Sequence, residues 1–386
     1  MKTVEREDAN LVKLLHLADL HLDSPFKGLP QSEAAERRSA LREVFSDALE
    51  YAGNVGVSMV LLSGDLFDGE YYSMQTLDFL EKSFRSMPDC RFVIAPGNHD
   101  TYKYSSPYKN CDFPENVRIF TKENMDSFEY PELGITVYGY AFTSNSYQKR
   151  PLEGFRAECG GFAVLCAHAD TDNRMSVYAP VTESDLLHCG LDYAALGHIH
   201  TKPEIMRVGN TVCAYSGCIA GRDFTEYGEK GGILVTLDIK DGHKTVDANR
   251  VRFCPWVYDT IGTDISGCSD NDDALNIIRE KISEFISSGN VSEYILKLRL
   301  TGHTAFAPET DYIMKRLSSL GVRQIEDQTV LLDYPGLEND FSVKGEFYRK
   351  LKSHLCADSP EERQTAALAL RYGLAALEGS ELTDIN

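Results

Sequence analysis

Residues 57–65 read VSMVLLSGD. An apolar run that stops abruptly at Gly64-Asp65 reads as a strand buried on both faces, ending with a carboxylate where the chain leaves the sheet. Working outward, LVKLLHLAD (11–19) reads as a strand before it and RFVIAPGNHD (91–100) as a strand after it. Between the first two, Leu41, Val44, Phe45, Ala48, Leu49 and Ala52 follow helical spacing in a segment from Ala34 to Ala52. Met74 to Phe84 supplies a second helix before the third strand. This β-α-β-α-β order predicts an α/β layered core. Past Val117 the strands crowd together, as GITVYGYAF, FAVLCAHAD, YAALGHIH, TVCAYSG and GGILVTLDI, with fewer helices between them. The expected fold is therefore α/β: a two-sheet sandwich flanked by helices.

Composition narrows the class. The 386 residues suffice for two domains, and 42% hydrophobic residues is ordinary for a globular protein. No window approaches the roughly 18 consecutive apolar residues of a membrane span. MKTVEREDANLVK at the N-terminus lacks the apolar stretch of a secretory signal. Ten cysteines form no C-x-x-C pair, so reduced thiols in a cytoplasmic protein are expected. The net charge of −20 is opposite to that of most chains that bind nucleic acid unaided. Either the substrate is not a long polyanion, or bound cations and a partner supply the positive field.

The polar residues at the strand ends are the informative pattern. Asp19-x-His21 follows the first strand, Gly64-Asp65 the second and Gly97-Asn98-His99-Asp100 the third. His168 ends VLCAH, and Gly197-His198-Ile199-His200 closes a further strand. A His-x-His pair alone suits either one metal centre or a solvated surface strand. Five such segments on five strand ends favour a ligand site, because loops converge at the C-terminal edge of an α/β sheet. Carboxylate, imidazole and amide donors together suit Mn²⁺, Fe or Zn²⁺ better than Mg²⁺ or Ca²⁺. Two ions would need a bridging carboxylate, for which Asp65 is the natural candidate. Gly64, Gly97 and Gly197 are expected to let the backbone turn sharply there. His16 reads as a core residue, and Asp23 and Asp100 as turn residues.

The series D-x-H, G-D-x-x-D, G-N-H-D, lone His and G-H-x-H, from Asp19 to His200, resembles the calcineurin-like metallophosphoesterase superfamily. By that resemblance, Asp19, His21, Asp65 and His200 hold one divalent ion. Asp65, Asn98, His168 and His198 hold the other. The resemblance makes His99 the proton donor or transition-state stabiliser and Asp68 the residue that orients it; the bland alternative for Asp68 is a helix cap. Protein phosphatases of the superfamily carry an Arg after the second aspartate. Gly69 stands there in GDLFDGE, which argues against that branch. LLHLADLHLDSPFKGL, GDLFD and the run from GHIHTKPEI to AYSGCIAGRDFTEYGEKGGILVTLDI resemble the SbcD-type DNA repair nucleases, in a YhaO-like branch.

The resemblance implies a phosphodiesterase using two divalent ions, Mn²⁺ first, with DNA as substrate. The alternatives are a phosphodiesterase for a small nucleotide, or a metal-binding scaffold without turnover. Residues 1–253 form the expected catalytic domain. Residues 254–335 make a small β-α-β-α-β cap, from WVYDTIGT through helices at Asp272–Ile286 and Pro308–Leu320 to VRQIEDQTVLLD. Residues 336–386 form a helical tail. There Phe347, Tyr348, Leu351 and Leu355 line one helix, and Ala367, Leu370, Leu374 and Leu377 a second. Ser359 should cap that second helix, with Pro360 at its first position and Gly379 just past its end. The tail either packs back on the catalytic domain or docks an SbcC-like ATPase; a homodimer is a further possible assembly.

Overall fold

The computed structural model describes residues 11–378, apart from 28, 70–71, 172, 202–203, 288–292, 305, 332–335, 356 and 358. Residues group into two compact units, Met1–Val257 and Tyr258–Asn386.

The first unit opens with β1 (Val12–Leu17), α1 (Gln31–Val55), β2 (Met59–Leu62), α2 (Met74–Arg85), β3 (Arg91–Ile94) and β4 (Val117–Ile119). It continues with β5 (Asp126–Tyr130), β6 (Ile135–Gly139), β7 (Phe162–His168), α3 (Glu183–His188) and β8 (Tyr193–Gly197). β9 (Glu204–Val208), β10 (Thr211–Tyr215), β11 (Gly231–Lys240) and β12 (His243–Arg252) complete it. Two six-stranded sheets result, ordered β12-β11-β1-β2-β3-β4 and β5-β6-β7-β8-β10-β9. The two-sheet sandwich expected from the strand spacing is what forms.

Strands β1 to β4 run parallel, as do β6, β7, β8 and β10, so their C-terminal ends share one edge of each sheet. β2 and β7 are buried along their whole length, which explains why they read as unbroken apolar runs. Leu14, Leu61 and Val93 of one sheet and Val137, Val164 and Tyr193 of the other belong to one buried cluster. α1 buries Ala34, Leu41, Val44, Phe45, Ala48, Leu49 and Ala52, the stripe its spacing predicts. It stops at Gly56, whose φ of 71° suits glycine; the Val57 N–H then donates to the Ala52 carbonyl (2.9 Å) and the chain enters β2. α2 is capped by Ser73, whose side chain accepts from Thr76 N–H at 3.1 Å. Asp68 is thus not a helix cap.

The second unit holds a three-stranded sheet ordered β13-β14-β16, formed by β13 (Trp256–Asp264), β14 (Glu293–Thr301) and β16 (Val322–Asp327). α4 (Asn271–Ser287) and α5 (Thr310–Leu317) alternate with those strands, and β15 (His303–Thr304) pairs with β17 (Val330–Leu331). The tail forms α6 (Val343–Leu355) and α7 (Pro360–Glu378). α7 starts as expected, with Ser359 Oγ accepting from Glu362 N–H at 3.4 Å. Tyr348, Leu355, Ala367, Leu370 and Leu374 share a buried cluster, with Val330 packed against it. Leu377, expected on that stripe, is exposed instead, and Gly379 lies outside the described residues. No described helix is long and apolar enough to cross a membrane.

Candidate metal centre

The strand ends meet. Ligand atoms of Asp19, His21, Asp65 and His200 lie within 4.8 Å of one another, and so do those of His21, Asp68 and His99. Local backbone strain delivers them: Asp19, His21, Asp65 and His198 have φ of 51°, 46°, 51° and 111°, in the region that side chains other than glycine rarely occupy. Main-chain hydrogen bonds lock these turns together, Asp19 N–H to Gly64 O at 3.0 Å and His21 N–H to Asp65 O at 2.9 Å. The three glycines act differently from the expectation. Only Gly64 has a positive φ, of 93°; Gly97 and Gly197 do not. Their role is close approach, since a Cβ on Gly97 would run into the Asp65 carboxylate and one on Gly197 into Ser63 O.

Three imidazoles have one nitrogen tied down. His168 Nδ1 is 3.1 Å from Ser63 O, His21 Nδ1 3.1 Å from Asp68 Oδ1, and His200 Nδ1 2.9 Å from Glu226 Oε1. Each carbonyl or carboxylate accepts from Nδ1–H, leaving Nε2 to face the cluster. His21 Nε2 and His200 Nε2 face each other at 3.2 Å. His168 Nε2 faces two further acceptors, Asn98 Oδ1 at 2.8 Å and Asp65 Oδ2 at 3.4 Å. Lone pairs converging without a donor require a proton or a cation between them. The donor set therefore fits divalent ions, which ligate neutral imidazole and ionised carboxylate. His198 is placed less tightly. Its backbone N–H reaches Asp19 Oδ2 at 3.1 Å, and its ring centroid lies 5.2 Å from that of His168. The ring joins neither of the two carboxylate–imidazole clusters among the described residues.

Charge follows geometry. Burial raises the Asp65 pKa, whereas Asp19 is lowered against its burial, chiefly by the charge of His200 and its hydrogen bond to it. Burial lowers His21 and His168, and takes His198 to about 4, favouring neutral rings. His200 is pushed up to about 10, as Asp19 and Glu226 outweigh its desolvation. A divalent ion competes with that proton. His99 is raised by its hydrogen bond to Asp68, with Nδ1 3.1 Å from Asp68 Oδ1.

The pattern of the calcineurin-like phosphoesterase family matches residues 12–202. The chain carries a calcineurin-like phosphoesterase domain. It is 29% identical over 253 residues to the "Uncharacterized metallophosphoesterase YhaO" of Bacillus subtilis, covering 63% of this chain and 61% of that protein. It is 28% identical over 217 residues to the "DNA double-strand break repair protein Mre11" of Saccharolobus solfataricus, covering 54% of each. The match thus spans little more than half the length of these relatives. A solved dimetal phosphatase from Danio rerio aligns over 61% of this chain and 95% of its own, at 11% identity and a TM-score of 0.39. The phosphoesterase domain implies a dinuclear divalent-metal site, and the structure holds a cluster of metal-ligating side chains.

Three residues of the phosphoesterase site have roles that the motifs do not disclose. Asp100 is more than a turn residue: it accepts from the N–H groups of Gly97 (2.7 Å), Leu66 (2.6 Å) and Phe67 (3.2 Å) and from Tyr108 Oη (2.5 Å). It thereby ties the loop after β3 to the loop after β2. Asp23 likewise accepts from Ser73 N–H at 2.6 Å and Thr76 Oγ1 at 2.9 Å, fastening the D-x-H loop to α2. Glu226, behind His200, lies in a stretch whose sequence signal was only family-like. His16 is buried as expected but only half satisfied, with Nδ1 2.9 Å from Tyr193 Oη and Nε2 lacking a hydrogen-bond partner.

Proposed function

We propose that this protein is a dinuclear metal-dependent phosphodiesterase that cleaves DNA, as an exonuclease or a single-strand endonuclease of the SbcD type. In this reading Asp19, His21, Asp65 and His200 hold one ion, and Asp65, Asn98, His168 and His198 the other. When bound, two divalent cations supply Lewis acidity that neutralises charge building on a phosphoryl group. The ions are expected to be Mn²⁺, with Fe or Zn²⁺ as alternatives.

The observation that carries the reading is His99 beside a converging ligand set. Its ring is 45% exposed and its Nδ1 is anchored on Asp68, so Nε2 is left to meet a substrate. The Asp68 carboxylate favours the protonated ring. As a water oxygen bonds to phosphorus and the P–O bond to the leaving group breaks, His99 Nε2–H donates its proton to the leaving-group oxygen. A metal-binding scaffold without turnover would have no use for such a group. DNA as substrate is supported by the similarity to a relative named as a DNA double-strand break repair protein.

The net charge of −20 favours a second reading, a small-nucleotide phosphodiesterase. Labelled DNA, single- and double-stranded, should be assayed beside cyclic and linear dinucleotides with Mn²⁺, Mg²⁺ or a chelator. Mn²⁺-dependent shortening or nicking of DNA supports the nuclease; turnover of the dinucleotides alone supports the second reading. We further propose a cytoplasmic enzyme whose tail docks an SbcC-like ATPase, which would contribute positive charge for DNA. Deleting residues 341–386 should leave a metal-loaded phosphoesterase domain that no longer co-purifies with that ATPase. Loss of the metals on truncation would make the tail a structural part of the enzyme.

A further inference from the structure

Glu226 and Arg222 lie outside the five strand-end motifs, yet they back the site. The Glu226 carboxylate is almost wholly buried and sets Oε1 2.9 Å from His200 Nδ1. Arg222 clasps that carboxylate, Nε donating at 3.1 and 3.2 Å and its backbone N–H at 2.8 Å. The same guanidinium places Nη1 3.6 Å from Asp68 Oδ2. Asp68 Oδ1 in turn lies 3.1 Å from both His21 Nδ1 and His99 Nδ1. Lys230, itself buried, donates from Nζ to the carbonyls of His200 and Thr201 at 2.7 Å each, holding the main chain of the same segment. A buried Arg–Glu pair is costly to desolvate and seldom adds much stability. Its position, between one proposed ligand and the carboxylate serving another, points to a different role. A carboxylate on imidazole Nδ1–H selects the tautomer and aims Nε2.

We infer that Glu226 and Arg222 are a positioning pair. Glu226 makes His200 ligate through Nε2, and Arg222, by holding Glu226 and Asp68 together, couples the His200 side of the site to the His21–His99 side. This rests on the dinuclear reading of the site but not on the identity of the substrate.

The metal-free full chain, titrated with Mn²⁺ by calorimetry, tests it through affinity rather than turnover. The wild type should bind two ions. E226L should bind one of them about ten- to a hundredfold more weakly, while E226Q, which keeps an acceptor oxygen for Nδ1–H, should recover most of that loss. E226L at wild-type affinity, or E226Q as weak as E226L, overturns the inference. R222Q combined with E226L should cost little more than E226L alone; additive losses overturn the coupling. Should a buried leucine beside Arg222 prevent folding, as circular dichroism would show, the wild type still decides. In the Zn²⁺-loaded protein, ¹⁵N long-range spectra should show His200 protonated at Nδ1 and bare at Nε2. A proton on Nε2 overturns the inference whatever the variants do. A wild type that takes up no divalent ion defeats the dinuclear reading and the inference with it. Two ions bound equally well by wild type and E226L defeat the inference alone.

Discussion

Replacing His99 by alanine separates the proposed chemistry from the proposed metal binding. The side chain is 45% exposed, and it contacts Asp68 through Nδ1 at 3.1 Å and the His21 ring edge-on at a centroid distance of 4.9 Å. Its removal therefore costs little stability: a hydrogen bond of about 1 kcal/mol at most, less for a half-solvated pair. The bond that matters for the metals is unaffected, because it is the His99 backbone N–H that donates to Asp65 Oδ1, at 2.9 Å. Alanine keeps that N–H, so both ions should remain, as elemental analysis can show. The rate is a different matter. A general acid contributes about 100- to 10,000-fold, or roughly 3–5 kcal/mol of barrier. With DNA, H99A should lose that much in kcat. With an activated aryl phosphodiester, whose leaving group needs no proton, the loss should be far smaller. Equal losses on both substrates would refute proton donation. Equal loss of metal content and activity would instead make His99 part of the ligand framework.

Asp65→Ala should strip both ions, since the carboxylate is the proposed bridge; two ions by elemental analysis would rule that out. Gly97→Ala should weaken metal binding without a φ penalty, because its Cβ runs into the Asp65 carboxylate and main chain; overpacking of this kind costs about 1–3 kcal/mol, and an unchanged Mn²⁺ isotherm would contradict it. Burial lowers His16 from 6.5 to about 3. The unfolded chain therefore binds the proton more readily, and the stability from keeping this ring neutral is lost as pH falls from about 6.5 toward 3. His16→Gln should flatten that part of an acid-unfolding curve; an unaltered slope would show that other groups govern it.

Much of the architecture was legible because both faces of the central strands are buried. β1, β2, β3, β7, β8 and β10 appear as apolar runs, and polar residues at several of their ends are the candidate ligands. The strands that reading missed sit at or near sheet edges. β4, β5, β9 and β12 carry exposed or half-exposed residues at most positions, with β12 reading HKTVDANRVR. An edge strand has little unbroken apolar signal to find. The site was legible at the same level. Asp19, His21, Asp65, Asn98, His168 and His200 are short polar residues at strand ends, and the structure gathers their ligand atoms. His198 shares their motif, but its ring packs against those of His168 and Tyr178 and joins neither carboxylate–imidazole cluster among the described residues.

What escaped the sequence has a common physical cause. Asp100 looked like a turn residue because its Gly97 partner is three residues away; its bonds to Leu66, Phe67 and Tyr108 depend on two loops meeting in space. Gly97 and Gly197 looked like turn glycines, yet what excludes a side chain is another strand's loop, which no local pattern records. Glu226 is 26 residues from the imidazole it holds and reaches it only because β10 pairs beside β8. These contacts bear on the charge of the site as well. Arg222 sits against Asp68 and Glu226, and Lys230 under His200, so in a chain of net charge −20 two cationic side chains are concentrated at the phosphoester site. Their charge is committed to protein acceptors. In the proposed function, the remaining negative field of Asp19, Asp65 and Asp68 would attract divalent cations before it could admit a phosphodiester, metal first and substrate second.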